Sequence, residues 1–100
     1  MASALSLDQL AGLPDEELVR KGLVDLNVGK VTVEACLVSI ASPRLRRTGF
    51  LPTKTKLVAD AELTLYGLLG KTEDDPYGRY NSLLRRLVSF EHALDRLAPV

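Results

Sequence analysis

Arg85, Arg86 and His92 fall within one stretch, "RYNSLLRRLVSFEHALDRL" (79–97), which holds the only histidine of the chain. Imidazole titrates near neutrality and can move a proton. A guanidinium can hold a phosphate and offset charge that develops on it. Together these residue types fit cleavage of a phosphodiester, with a second histidine supplied by another chain. The plainer reading makes Arg85 and His92 solvent-facing helix residues beside Glu91 and Asp95, and it is the one preferred.

A second group is "RLRRTGFLPTKTK" (44–56), in which Arg44, Arg46, Arg47, Lys54 and Lys56 carry five positive charges with no negative one. Such side chains reach phosphate oxygens, and Phe50 among them could stack on an unpaired base. This would be a nucleic-acid-binding segment without catalysis. The competing expectation is that it is solvated, or pairs within the protein with Asp15 to Glu17 or Glu73 to Asp75.

Tyr66, Tyr77 and Tyr80 with Asn81 form a third set, read as ring packing at an amphipathic boundary. Cys36 lies among Ala35, Leu37 and Val38 and reads as an inert core residue. One cysteine and one histidine supply neither a Ser-His-Asp set nor a metal-ligand cluster. Gly-rich phosphate loops and dinucleotide fingerprints are absent, so no cofactor is expected.

The elements that must position these residues are helical. In 79–97, Tyr80, Leu83, Leu87, Phe90, Leu94 and Leu97 are spaced 3, 4, 3, 4 and 3, with Leu84 and Val88 widening the seam. Asp75-Pro76 opens this helix, which is expected to run from about Pro76 to Leu97 and to be the longest. Residues seven apart lie one above the other, because two turns cover about 7.2 residues. Arg85 and His92 therefore stack on the face away from the seam, with Asn81 before and Arg96 after, while Arg86 sits nearer the seam's edge.

The arginine followed by a histidine several residues later on a late helix is similar to the motif of the HEPN ribonucleases, a family of small α-helical proteins active as dimers. The resemblance covers Arg85 or Arg86 and His92. In that family a polar residue usually follows the arginine; Arg86 follows Arg85 here, whereas Leu87 follows Arg86. The resemblance implies RNA cleavage by these side chains in a dimer.

Upstream, Ser6 and Gln9 suggest a short capped helix to about Ala11, broken by Gly12 and Pro14. Asp15, Glu16 and Glu17 open a helix reaching about Asn27, with Leu18, Val19, Leu23 and Leu26 inward and Gly29 as its stop. Glu16–Arg20 and Glu17–Lys21 are its expected outward pairs. "KVTVEACLVSIAS" alternates as a strand would, yet Thr32 can cap a helix, and a buried helix from about Val33 to Ala41 is favoured.

Pro43 begins a short helical turn closed by Gly49, and "FLPTKTK" is a connection. Leu57, Val58, Ala61, Leu65, Leu68 and Leu69 predict a helix from about Thr55 to Leu69, with Asp60 and Glu62 off its stripe. Gly22 and Gly67, inside helical patterns, mark close helix approaches or are simply tolerated.

One hundred residues, 46% of them hydrophobic and 26% charged, suit a single folded domain rather than a disordered chain. Thirteen basic and thirteen acidic residues cancel, so no global field draws the chain to nucleic acid or an anionic membrane. "MASALSLDQLAGLPDEE" does not read as a secretory signal, and no apolar run reaches bilayer length. A cytoplasmic setting is expected.

The resulting expectation is an all-α bundle of four or five helices, possible as a homodimer, acting as a non-catalytic protein-interaction or adaptor module. RNA cleavage by Arg85 or Arg86 with His92, and nucleic-acid binding by 44–56, are the alternatives.

Overall fold

A computed structural model describes residues 12–52 and 54–97 of the chain. The described residues form five helices and no strand: α1 (Glu16–Asn27), α2 (Val33–Ile40), α3 (Ser42–Arg47), α4 (Ala61–Thr72) and α5 (Pro76–Leu97). The expected opening helix near Ser6 lies outside the described residues. No helix among them is long and apolar enough to cross a membrane.

α1 starts from Asp15, whose backbone is left-handed at φ 58°. Aspartate tolerates that region better than most residues, and its carboxylate is thereby released from capping duty. Val19 and Leu26 are buried, and Leu18 and Leu23 pack against the core. The helix ends in a Schellman turn at Gly29, φ 78°, where the Gly29 N–H donates to the Leu26 carbonyl and the Lys30 N–H to that of Asp25. Glycine fits there because its φ is positive.

The ambiguous segment is a helix. Thr32 takes extended backbone angles, and its Oγ1 accepts the Ala35 N–H at 3.1 Å, a regular N-cap. Ala35, Cys36, Leu37 and Val38 follow one another in full burial, so α2 has no outward face along this run. Accordingly α2 is central: it packs most extensively on α1 and α4 and also touches α3 and α5, while α4 lies on α5. At Gly22 the α1–α2 approach is closest, since a Cβ there would stand 2.4 Å from both the Glu34 carbonyl oxygen and Val38 Cγ2. Gly67 has nothing within 4 Å and is the tolerated one.

α3 follows α2 with only Ala41 between them, starts with Pro43 in its first turn and closes at Gly49, φ 89°. The Phe50 N–H donates to the Leu45 carbonyl at 2.9 Å and the Gly49 N–H to that of Arg46 at 3.2 Å, a second Schellman turn.

Three expectations are corrected. α4 begins at Ala61, six residues later than the apolar spacing predicts, because Asp60 turns left-handed at φ 47° and stops a helix from reaching back to Thr55. Leu57 and Val58 pack against the core from the connection instead. Lys21 ignores Glu17 and binds Asp25 at 2.7 Å and Glu34 at 3.4 Å, which α2 brings alongside. Val88 is 46% exposed and does not widen the seam of α5.

The seam itself is as spaced: Leu83, Leu87, Phe90 and Leu94 are buried, and Leu84 is half-buried. Asp75 Oδ1 accepts the Gly78 N–H at 3.0 Å and so caps α5. The Tyr66 and Tyr80 rings meet edge to face at 5.7 Å across α4 and α5, as boundary aromatics do, and Tyr77 is exposed.

Candidate functional site: an apolar trough beside α1

Of the two sequence-derived groups, the first keeps Arg85 and His92 on one face and the second is divided by the fold. Arg85 and His92 are exposed on the outer face of α5, where the spacing puts them. Arg86 faces the N-terminal end of α1 instead. Its Nε and Nη2 donate to Asp15 Oδ1 at 3.0 and 2.6 Å, and that carboxylate raises the guanidinium pKa further above its ordinary value. Arg86 therefore ties α5 to α1, while Arg85 and His92 share the outer face without it.

The basic segment divides similarly. Arg44 pairs with Asp95 on α5, and Arg46 Nη2 donates to the Thr55 carbonyl at 2.9 Å. The expected pairing with Asp15 to Glu17 or Glu73 to Asp75 does not occur: Asp95 takes Arg44, and Asp15 takes Arg86. Phe50 is 6% exposed, packed into the core by the turn after α3, and presents no ring for base stacking. Arg47, Lys54 and Lys56 remain outward.

Sequence reasoning passed over a different surface. The connection, described over 50–52 and 54–59, runs beside the C-terminal half of α1 and leaves two separate hollows between them. The first, about 260 Å³, has Leu23, Val24 and Asn27 on the α1 side and Leu51, Pro52 and Thr55 opposite. The second, about 350 Å³, has Leu26, Gly29 and Val31 on one wall and Leu57, Val58 and Ala59 on the other. The exposed lysines Lys30 and Lys56 stand one on each wall of the second hollow. Among the described residues no carboxylate lines either hollow.

Val24 lines the first hollow and Val31 the second, 58% and 56% exposed, while Val28, the residue just after α1, is 60% exposed and lines neither. Single exposed apolar residues are ordinary, but a run of them bordering a concave apolar surface marks a contact site. The available signal was the pair Val24 and Val28, four apart and off the inward stripe of α1.

The walls are held in place. Ser39, buried on α2, donates its hydroxyl to the Ala35 carbonyl at 2.9 Å and accepts the Val58 N–H at 3.0 Å. Together with the Arg46–Thr55 bond, this pins the connection against the bundle. The opposite wall is braced where the Thr32 hydroxyl donates to Asp25 Oδ2 at 2.6 Å, locking the α1–α2 turn.

The lining of the two hollows is mostly apolar, with Lys30 and Lys56 beside the second. Cys36 lies away from it in full burial, which pushes its thiol pKa up and disfavours thiolate. Among the described residues no group of three or more His, Cys, Asp or Glu is placed to hold a metal ion. No protein-family model, curated protein or solved structure matches the chain.

Proposed function

We propose that this chain is a non-catalytic protein-binding module whose docking surface is the trough between α1 and the connection 50–59. The observation that carries the reading is that Val24 and Val31, each more than half exposed, line two apolar hollows whose walls are pinned. Covering apolar surface releases about 25 cal/mol per Å², so exposed valines are useful chiefly if something covers them. A pre-set wall also lowers the ordering cost that binding must overcome.

RNA cleavage has weaker support: Arg86 is engaged with Asp15, and the remaining pair, Arg85 with His92, lies on an exposed outer face in a chain that holds no second histidine. Nucleic-acid binding by 44–56 loses Phe50 to the core and Arg44 to Asp95.

The test is affinity capture with the whole chain and with a variant carrying Val24→Ser, Val28→Ser and Val31→Ser. The wild type should retain a reproducible protein partner, and the variant should lose it while keeping the helical circular-dichroism signal. A partner held equally by both would reject the trough as the docking surface. Salt-sensitive retention of RNA with no protein partner would reverse the ranking.

A further inference from the structure

Resting on that reading, we infer that the occupant of the trough is a protein segment that is both apolar and acidic, with carboxylates meeting Lys30 and Lys56. These two ammonium groups stand on opposite walls of the larger hollow. Neither forms an ion pair among the described residues, and no Asp or Glu lines the hollow to neutralise them. Lys30 acts electrostatically on the Asp25 carboxylate, but that carboxylate is hydrogen-bonded to Lys21 and Thr32.

A helix C-terminus ordinarily repels an anion. Here the Leu26 and Asp25 carbonyls at that end already accept the Gly29 and Lys30 N–H groups, which blunts the repulsion. The lysines therefore set the sign of the local field although the chain as a whole has no net charge. The apolar floor asks for Leu-, Ile- or Phe-like side chains, and the flanking cations ask for Asp or Glu on the edges of the same segment.

The inference separates from the underlying reading by selection of random peptides on the immobilised full chain, with selected peptides titrated by amide NMR. Selected sequences should be enriched in Asp and Glu beside large apolar residues, and should shift the amides of Leu26 to Val31 and Lys56 to Ala59. Lys30→Glu with Lys56→Glu should weaken them by about tenfold or more, and added salt should weaken the wild-type complex too. Both lysines are exposed, and the helical circular-dichroism signal of the double variant checks that its fold is kept.

Peptides that shift the trough yet bind the double variant within twofold would overturn the acidic partner and leave the docking surface standing. Finding no peptide that perturbs the trough would count against both. Preferential shifts of the same amides by a short RNA or by vesicles of anionic lipid would overturn the inference by naming another class of ligand.

Discussion

The Asp25 carboxylate accepts the Lys21 ammonium at 2.7 Å and the Thr32 hydroxyl at 2.6 Å while almost closed off from water. The Lys21 hydrogen bond first, then that of Thr32, holds its pKa below the usual carboxylate value, against desolvation that pushes it up. A folded-state pKa below the unfolded one means that the contribution is complete above the unfolded value, about 3.9, and fades as the pH falls through the folded value. Asp25→Asn should therefore be less stable than wild type at neutral pH, with the gap narrowing below about pH 4. Urea midpoints measured across that range check it, and a gap that stays constant would remove Asp25 from the acid response. The glycines make a sharper pair. Gly22→Ala drives a methyl into the Glu34 carbonyl and Val38, so overpacking of about 1–3 kcal/mol outweighs the roughly 1 kcal/mol of helix propensity gained. Gly67→Ala meets open space and should stabilise by about 0.5–1 kcal/mol. Two urea titrations of opposite sign are the expected result, and a stabilised Gly22→Ala would mean that the α1–α2 approach is looser than these distances.

Among the elements, α5 and α2 were the most legible from sequence, for local reasons. Asp75-Pro76 and the 3–4 spacing bound α5 because its cap and its seam are contained in one continuous stretch. Thr32 decided α2 against a strand, since a side-chain oxygen that satisfies a helix N–H outweighs a short alternation of β-branched residues. α4 misled because Leu57 and Val58 keep helical spacing with Ala61 and Leu65 while belonging to a chain that only leans on the core. What stopped the helix was the backbone of Asp60, and nothing in the apolar pattern reports a left-handed residue. The trough was illegible for a different reason: its walls come from α1 and from a connection some thirty residues away, joined through Ser39 on a third element. Pairing of charges failed likewise across long separations, as Arg86 and Asp15 are 71 residues apart and Arg44 and Asp95 are 51 apart. Caps and apolar seams within an element carried through here, whereas a site assembled between elements needs the fold first.

At the scale of the molecule, every large packing surface except α4 against α5 passes through α2, so the bundle should have no stable form without it. Cys36 lies at the middle of that helix, fully buried, and is the only cysteine in the chain, which makes it a built-in reporter. Its thiol reacts through the thiolate, which burial both hides and disfavours. Local fraying of α3 or of the connection would not uncover it, because α1 and α4 cover α2 independently of them. Labelling by an aromatic disulfide should therefore proceed only through global opening and track the unfolding equilibrium. Leu37, next to Cys36 and facing Leu87 and Phe90 of α5, supplies the control. Leu37→Ala should lower stability by about 2–5 kcal/mol, and since each 1.4 kcal/mol is about tenfold, labelling should accelerate by about thirtyfold or more. The test compares labelling rates with urea-derived stabilities for wild type, Leu37→Ala and Gly67→Ala, and they should fall on one line of unit slope. Fast labelling that ignores these variants would show that the α2 layer opens by itself, and the central place given to that helix would then be wrong.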